Sequence, residues 1–442
     1  MSIGNDTLAL VRALDTAPMF EQHGRILGAL GTTLRVAGVR ARIGESCEIV
    51  DPQTGFTLWA EVIGLVDGGA ILTPLGEMRG LSADSDVILR SGEDRTPYGP
   101  DMFGRVLDAR LQSLDGLGPV RRGADRPIHG ASPNPMTRRP IDAPMETGIR
   151  AIDALLTIGI GQRVGIFASA GVGKSTLLAN LARQADCDAI VIAMIGERGR
   201  EVREFIEQTL GETGLARSVV IVATSDRPAM ERVRAAHVAT AIAEGLRDEG
   251  RHVLLLMDSV TRFARALREI GLAAGEPAVR RGFPPSVFAE LPRLFERSGT
   301  GAAGAITALY TVLLEDEEGD PIGEEVRSLL DGHIVLSRKL AARGHYPAID
   351  VLGSLSRLFL RLATPAQQRA AAGLRAMLAK LDEIELLVQI GEYAPGRDLL
   401  ADRALAEREA IAAFLRQSRD DRTPHNECIA RLRNFEERNH GQ

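Results

Sequence analysis

The alternation of apolar and polar residues predicts a run of short strands near the start of the chain. Between Arg25 and Ser91, brief apolar and β-branched runs follow one another at close spacing, separated by Gly, Pro, Asp and Asn. The runs occupy residues 33–37, 46–50, 58–66, 70–73 and 86–90. Five or six strands of this length in so short a stretch predict a small β-barrel.

Beyond residue 163 the pattern changes to longer, continuous apolar runs that alternate with helical segments. These runs occupy residues 164–167, 189–195, 219–223, 253–257, 305–314 and 334–336. Continuous Val, Ile and Leu indicates strands that are buried on both faces, which is typical of a mostly parallel α/β sheet. Residues 116–144, rich in Gly, Pro and Arg, predict a long irregular connection, and residues 147–156 predict a helix.

Helical patterns flank this region at both ends of the chain. After Leu362 the sequence is rich in Ala, Leu, Arg and Glu, which predicts a helical C-terminal domain. Asp6–Ala17 predicts a short amphipathic helix, which either docks on its own domain or binds a partner. We therefore expect a multidomain α/β protein with a helix over 1–22, a β-barrel domain over 23–92, an α/β domain over 93–364 and a helical domain over 365–442.

Composition narrows the class of protein without naming a function. The chain has 442 residues, 45% of them hydrophobic and 25% charged, with a net charge of −6. That charge gives no general attraction to nucleic acid or anionic lipid, so no nucleic-acid partner is expected. Its three cysteines are widely spaced, which favours a reducing compartment without a disulfide framework. No signal peptide or membrane-spanning run is recognisable.

The first candidate site is a phosphate-binding loop that directly follows the apolar run ending at Phe167. The stretch from Ala168 to Thr176 fits [Gly/Ala]-x4-Gly-Lys-[Ser/Thr], the P-loop pattern. Its Lys174 is one of only three lysines in a chain with 53 basic residues, so a chance match is improbable. The residues expected to bind nucleotide are Ser169, Ala170, Gly171, Val172, Gly173, Lys174, Ser175 and Thr176. Lys174 would neutralise phosphate charge, and the Ser175 hydroxyl would ligate Mg²⁺.

Two carboxylates follow strands that belong to the same predicted sheet. Asp258 ends the run His252–Asp258, where an Mg²⁺-binding Walker-B carboxylate would lie. Glu197 comes just after residues 189–195, in Gly196-Glu-Arg-Gly-Arg-Glu201. From there it could activate the water that attacks a γ-phosphate. By spacing alone, a solvated charged turn explains Glu197 equally well.

Several longer blocks, in one order, resemble the catalytic subunits of the rotary ATPases. They resemble most closely the ATPases of type III protein export. The blocks lie at residues 147–153, 168–176, 196–205, 257–263, 281–288, 330–338 and 345–357. The resemblance covers most of residues 25–440 and implies a RecA-like central domain that binds ATP and Mg²⁺.

The resemblance also implies roles for individual positions. Glu197 is similar to the glutamate that polarises the attacking water, with Arg198 beside it. Asp258 resembles the Walker-B aspartate, and Arg262 a nearby arginine that orders the site.

Two further roles depend entirely on the family match. Arg357 resembles an arginine finger that a subunit gives to its neighbour's nucleotide, and Tyr346 resembles an aromatic that stacks on adenine. Two departures stand out. Ala168 replaces the usual first glycine of the loop, and Phe283 replaces a tyrosine in Gly-Tyr-Pro-Pro-Ser, which removes a hydroxyl.

Within the export ATPases, residues 308–313 and 325–333 look more like an injectisome enzyme than a flagellar one. The resemblance implies a homohexamer at the inner face of the bacterial inner membrane, in the cytoplasm. It would release chaperones from effectors and unfold them. Implied partners are a stator-like regulator at the N-terminal helix, a central stalk, effector–chaperone complexes and the export gate.

Other interpretations remain open from the sequence. They are a flagellar export ATPase, an ATP synthase-type subunit, a hexameric RNA helicase and a nucleotide-binding subunit without catalysis. A helicase would need stacking aromatics in its barrel, yet only Phe56 and Trp59 occur between Arg25 and Ser91. A non-catalytic subunit would lack the glutamate that Glu197 supplies. Substrate-gripping pore loops are expected near Leu267–Val279 from position alone.

Overall fold

The structure, a computed structural model, describes residues 22–90, 94–120, 123–314 and 319–437. The helix predicted over Asp6–Ala17 lies outside these residues. Three regions follow in order along the described chain: a barrel, a large mixed sheet with helices, and a bundle of helices. The expected fold class is therefore confirmed. The exact domain boundaries stay predictions.

The first region is a closed barrel of six strands. The strands are β1 (His23–Leu30), β2 (Thr33–Ala37), β3 (Ser46–Val50), β4 (Thr57–Val66), β5 (Gly69–Pro74) and β6 (Asp86–Arg90). They pair in the order β1-β2-β5-β4-β3-β6, and β6 closes onto β1. Alternate residues such as Leu34, Val36 and Ile49 are fully buried inside it. Closure leaves no unpaired sheet edge, which stabilises so small a domain.

The connection between the barrel and the central sheet is more ordered than the sequence predicts. Strand β7 (Arg95–Tyr98) pairs with β9 (Ala124–Pro127), so one strand lies within the stretch expected to be irregular. The three-residue strand β8 (Val106–Asp108) joins the edge of the central sheet. These strands are too short and too polar to give an apolar pattern.

Besides β8, the central sheet contains β10 (Arg163–Ala168), β11 (Ala189–Ile195), β12 (Ser218–Ala223), β13 (His252–Asp258), β14 (Gly299–Thr300), β15 (Ala305–Leu313), β16 (Gly332–Leu336) and β17 (Ile349–Ser356). Their order is β17-β16-β10-β15-β13-β11-β12-β8, with β14 paired to β15. All pairings from β8 to β16 along this order are parallel, and β17 is antiparallel to β16. The carboxyl ends of the parallel strands therefore meet at one edge, where loops build binding sites in such sheets.

Helices cover both faces of the sheet. They are α1 (Arg150–Leu155), α2 (Lys174–Gln184), α3 (Gly199–Glu204), α4 (Gly211–Leu215), α5 (Ala229–Asp248), α6 (Val260–Ala273), α7 (Pro285–Glu296), α8 (Pro321–Leu329), α9 (Arg338–Ala342) and α10 (Phe359–Leu362). A π-helical turn, Phe205–Leu210, joins α3 to α4. Two hydrophobic clusters lie on the two sides of the sheet, so its central strands are buried on both faces.

The C-terminal region consists of three helices, α11 (Pro365–Gln389), α12 (Leu399–Leu415) and α13 (His425–Glu437). Apolar side chains of these helices, including Leu374 and Phe414, share one core with α1 and α2 of the central region. The helical region is therefore packed on the same side of the sheet as the helix that follows the candidate P-loop. Among the described residues, no helix combines the length and apolarity needed to cross a bilayer.

Candidate active site

The candidate P-loop lies between strand β10 and helix α2, at the carboxyl edge of the sheet. Ala168 is the last residue of β10 and is fully buried, so the departure from glycine places a methyl group in the core. Gly173 precedes the helix with φ = 90°, a left-handed conformation that glycine adopts without strain. Helix α2 then begins at Lys174, and Ser175 and Thr176 follow in its first, solvent-exposed turn. Free backbone N–H groups at such a helix start bind anions.

Lys174 lies between the two predicted carboxylates. Its Nζ donates to Glu197 Oε1 at 3.3 Å and also donates to Asp258 Oδ1. The three side chains are largely shielded from water, with exposed fractions of 11%, 12% and 6% for Lys174, Glu197 and Asp258. A helix start, a loop and a strand end, each following a different strand or closing one at the carboxyl edge of the sheet, thus bring these three side chains together. The contacts of Lys174 with both carboxylates define the candidate site.

Burial and neighbouring charges shift the pKa values of this cluster. Burial alone would lower the pKa of Lys174, but the Asp258 and Glu197 carboxylates outweigh it and raise that pKa. Lys174 is therefore a stable cation. Burial raises the pKa of Glu197, Lys174 opposes the rise, and repulsion from Asp258 adds to it. A carboxylate whose pKa is raised is a better proton acceptor for general-base catalysis than an exposed one.

The strand next to the one that carries Asp258 holds its carboxylate from the side. Asp258 ends β13, next to β15, with Met257 in register with Tyr310. The hydroxyl of Thr311, one residue further on β15, lies 2.7 Å from Asp258 Oδ1. Helix α6 begins directly after this point, with the Ser259 hydroxyl accepting from the backbone N–H of Arg262 at 3.3 Å.

The loop that carries Glu197 turns at Gly196, which has φ = 69°. Any Cβ at Gly196 would lie 3.0 Å from Cβ of Arg262, so the aliphatic part of that arginine packs directly on this turn. The structure thus brings Arg262 beside the Glu197 loop. Arg198, in contrast, is 76% exposed and pairs with Glu201 at 3.1 Å, so it lies away from the Lys174 cluster.

Tyr346 lies against the P-loop within the same chain. Its ring carbons would be 3.2–3.3 Å from a Cβ at Gly173, so the ring packs on the loop backbone. Tyr346 as a whole residue is 42% exposed, and its carbonyl accepts from the Gln417 N–H at 2.9 Å. An exposed aromatic face beside a phosphate-binding loop is a suitable platform for a nucleobase.

Arg357 lies at the opposite edge of the sheet from the P-loop. It follows β17, whose last residue Ser356 pairs with Gly332 at the start of β16. Gly332 lies level with the start of β10, whereas the P-loop follows the end of β10. The length of that strand, roughly 17 Å at the usual rise per residue, therefore separates them. Arg357 is exposed, and its guanidinium donates weakly to the Arg327 carbonyl at 3.5 Å. The structure does not bring Arg357 to Lys174 of its own chain.

Comparisons with known proteins agree with this geometry. Residues 148–356 match the sequence family described as ATP synthase alpha/beta family, nucleotide-binding domain. Residues 363–434 match the family described as T3SS EscN ATPase C-terminal domain. A type 3 secretion system ATPase of Sinorhizobium fredii is 53% identical over 408 residues, covering 92% of this chain and 90% of that protein. The chain belongs to the type III secretion ATPase family. It is an ATP hydrolase, as the sequence predicts.

The flagellar branch of the family is also similar, though at lower identity. A flagellum-specific ATP synthase of Pseudomonas aeruginosa is 44% identical, covering 95% of this chain and 94% of that protein. Secretion ATPases among the relatives reach 48–53% identity. The assembled ATPase EscN of the type III secretion system of enteropathogenic E. coli shares the fold, with a TM-score of 0.88 and 45% identity. That likeness covers 93% of this chain and 99% of the EscN chain in that structure. The injectisome assignment is therefore confirmed.

The residues of this secretion ATPase fit a nucleotide-bound Mg²⁺ ion. The Ser175 hydroxyl and the Asp258 carboxylate are oxygen donors, which Mg²⁺ prefers. Among the described residues, no group of three or more His, Cys, Asp or Glu side chains could hold a metal ion. Because Mg²⁺ keeps several waters and is bound largely through substrate phosphates, two oxygen donors from the protein suffice for it.

Sequence reasoning missed one residue of the site and one contact outside it. The first is Thr311, which is one of three hydroxyl-bearing residues on β15 and is distinguished only by its place beyond the register partner of Met257. The second is buried Arg150 of α1, which binds the end of α12 and the loop that follows it. Its side chain donates to the Phe414 and Arg416 carbonyls, to Asp421 and to Thr423. No local sequence pattern marks such a long-range contact.

Proposed function

We propose that this chain acts as a homohexameric, Mg²⁺-dependent ATPase at the cytoplasmic base of a type III secretion apparatus, peripheral to the inner membrane. There it would release chaperones from export substrates and unfold them. The observation that carries the catalytic part is the Lys174 ammonium, which touches both Glu197 and Asp258 at the carboxyl edge of the sheet.

In this proposal the P-loop holds the phosphates through its backbone N–H groups, from Ser169 to Thr176, and Lys174 neutralises their charge. Mg²⁺, held by Ser175 and by the Asp258 carboxylate, would offset charge on the phosphate oxygens. Glu197 accepts a proton from the water whose oxygen attacks the γ-phosphorus, and the bond to the ADP oxygen breaks. The raised pKa of Glu197 favours that proton transfer.

Arg357 supplies the remaining positive charge from a neighbouring subunit. Its distance from Lys174 within one chain, an entire strand length, argues against a role in its own site. Its exposure leaves the guanidinium accessible to a second copy. Arg262 would order the Glu197 loop, whereas Arg198 would act only after leaving Glu201. Tyr346 would stack on adenine.

The proposed partners follow from the family. EscN has been solved as an assembled ATPase and in complex with its central stalk EscO, and the latter structure has a TM-score of 0.86 to this chain. We extend an oligomer and a central stalk to this chain by that likeness. A stator-like regulator at residues 1–22, effector–chaperone complexes and the export gate complete the proposal. Residues 23–92, 93–364 and 365–442 would form its three folded domains.

Glutamate 197 gives the direct test of the catalytic assignment. We expect Glu197→Gln to bind ATP with unchanged affinity and to lose hydrolysis, since the amide keeps the shape but accepts no proton. Glu207→Gln is the matched control because Glu207 lies on the π-helical turn that follows the same segment, is exposed and pairs with exposed Arg203 at 2.8 Å. ATP binding is measured with a fluorescent analogue, and hydrolysis by phosphate release. Normal turnover in Glu197→Gln would refute the assignment.

Mixing two inactive variants tests the role of Arg357 in trans. Lys174→Ala and Arg357→Ala are each expected to lose hydrolysis. Mixed oligomers contain some sites with Lys174 from one subunit and Arg357 from the next, so activity should return on mixing. No activity at any ratio would show that both residues serve one subunit's site. Arg361→Ala, a nearby exposed arginine, is the control and should hydrolyse ATP normally.

A further inference from the structure

Thr311 is a buried hydroxyl that the nucleotide chemistry described above does not use. It lies on β15, its residue is fully buried, and its neighbours Tyr310 and Val312 are fully buried too. Its oxygen has two acceptors within reach, Asp258 Oδ1 at 2.7 Å and the Met257 carbonyl at 3.3 Å. A buried hydroxyl with two acceptors must choose one of them, because it carries a single proton.

Charge and distance decide that choice. A hydrogen bond to a carboxylate is shorter and roughly twice as strong as a bond between neutral groups. The Thr311 hydroxyl oxygen lies 2.7 Å from Asp258 Oδ1 but 3.3 Å from the Met257 carbonyl oxygen. Thr311 therefore donates its hydroxyl hydrogen bond to Asp258 Oδ1, and any hydrogen bond to the Met257 carbonyl is weak.

The bond to Thr311 restrains the orientation of the Asp258 carboxylate. Lys174 also donates to Oδ1, so the two hydrogen bonds to this carboxylate in the described chain end on the same oxygen. With Oδ1 held by a strand on one side and by the P-loop lysine on the other, rotation of the carboxylate is restricted. The lysine contact changes when phosphate competes for the ammonium, whereas the threonine contact is built into the sheet.

A second threonine ties the same region to β15. Thr261, in the first turn of α6, accepts from the Leu313 N–H at 2.9 Å. Thr261 and Thr311 are both buried, at 3% and 0% exposure, and lie on either side of the junction between Asp258 and α6. Strand β15 thereby supports the carboxylate through a side-chain bond and the helix that follows it through a backbone bond.

We infer that Thr311 is a positioning residue that aims the Asp258 carboxylate at the Mg²⁺ of the bound nucleotide. The inference rests on the proposed function, in which Asp258 serves the metal. Hydrogen-bonding partners of metal-binding carboxylates typically change metal affinity or activity about 10- to 100-fold when they are removed. A merely structural role for the hydroxyl would instead lower stability and leave metal affinity unchanged.

The experiment compares Thr311→Val, which keeps the shape and removes the hydroxyl, with Thr311→Ser, which restores it. The control is Thr307→Val, on the same face of β15 and equally buried. Thr307 also has two hydrogen bonds, from Gly161 N–H at 2.9 Å and with His252 Nε2 at 2.8 Å. It lies roughly 13 Å from Thr311 along the strand.

The readout is the dissociation constant of Mn²⁺ from the full-length protein saturated with a fluorescent ATP analogue, measured by electron paramagnetic resonance. Affinity for the same analogue in EDTA is measured in parallel. Thr311→Val should weaken Mn²⁺ binding on the order of ten-fold. Nucleotide affinity without metal should stay within about two-fold, since the P-loop contacts are intact. Thr311→Ser should resemble the wild type, and Thr307→Val should leave Mn²⁺ affinity unchanged.

Asp258→Asn separates failure of this inference from failure of the proposed function. If Asp258→Asn weakens Mn²⁺ binding and Thr311→Val does not, the positioning role is wrong and the site assignment survives. If neither variant weakens Mn²⁺ binding, Asp258 does not serve the metal and both fail. An equal loss in Thr307→Val, or no recovery in Thr311→Ser, would also overturn the role of Thr311.

Discussion

Glu61 should make the contact between barrel and central region sensitive to pH. It lies on β4, is only 8% exposed, and faces the cleft that also contains His129, His237 and Glu290. Burial raises its pKa from 4.5 to about 8, Arg234 opposes the rise, and Asp94 and Glu290 add to it. The closest basic side chain in an ion-pair geometry is His129, whose Nε2 lies 3.9 Å from Glu61 Oε1.

The sign of the effect follows from comparing folded and unfolded states. The folded protein holds the Glu61 proton more tightly than the unfolded chain, because its pKa is higher in the fold. The contribution of this proton to the free energy of unfolding is fully present below pH 4.5 and is lost as the pH rises toward about 8. At about 1.36 kcal/mol per pH unit, the loss is on the order of 5 kcal/mol at pH 8 and above.

Glu61→Gln copies the protonated side chain and should remove this loss. The variant should match the wild type near pH 4.5 and be more stable at pH 8.5, with the difference growing between those values. The assay is urea unfolding followed by fluorescence of Trp59, the single tryptophan of the chain. Trp59 lies on the same strand β4 and packs against the core of the central region, so it reports on this contact.

Comparing variant with wild type at each pH cancels the titration of other groups. Burial lowers the pKa of His129 to about 4, so its ionisation contributes equally to both proteins at low pH. Glu77→Gln, an exposed carboxylate of the same barrel, is the control and should shift stability equally at both pH values. A stability gain in Glu61→Gln that is the same at pH 4.5 and 8.5 would refute the reasoning.

Three further changes test other contacts. Gly173→Ala should weaken ATP binding at least about ten-fold in a fluorescence titration, since alanine strains a left-handed residue and its Cβ would lie 3.2 Å from the Tyr346 ring. Tyr346→Phe should keep that affinity and Tyr346→Ala should lower it, because stacking needs only the ring. Arg150→Met should cost about 3–5 kcal/mol of stability and speed proteolysis between α12 and α13, because buried Arg150 donates to Asp421 and to backbone carbonyls there.

Continuous apolar runs made the central sheet predictable. Strand β11 has the predicted bounds, Ala189–Ile195, and all seven of its residues are buried. A strand covered on both faces needs apolar residues at every position, which leaves a strong signal in the sequence. The place of Asp258 at the end of a buried strand was predictable for the same reason, since it interrupts such a run at its end; its Walker-B role stays a proposal.

Edge strands gave no comparable signal. Strand β17 has exposed positions in its middle, contains Gly353 and pairs on one side with β16. An edge strand that faces solvent does not need a continuous apolar run, so its sequence resembles a loop. The helix predicted from Thr147 starts only at Arg150, since Gly148 has φ = 76° and the Thr147 and Gly148 N–H groups bind the Asp153 carboxylate.

Charge at the site gives an independent reason to expect a second subunit. Lys174 faces two carboxylates, Glu197 and Asp258, so the buried cluster carries more negative than positive charge before any nucleotide arrives. A nucleoside triphosphate adds more negative charge than one Mg²⁺ ion removes. In the transition state of phosphoryl transfer the negative charge is spread over the phosphoryl oxygens, and an arginine finger stabilises that charge in related reactions. Arg357 is one of 50 arginines, and its resemblance to an arginine finger together with its exposed place at the far sheet edge makes it the residue that we propose for a neighbour's site.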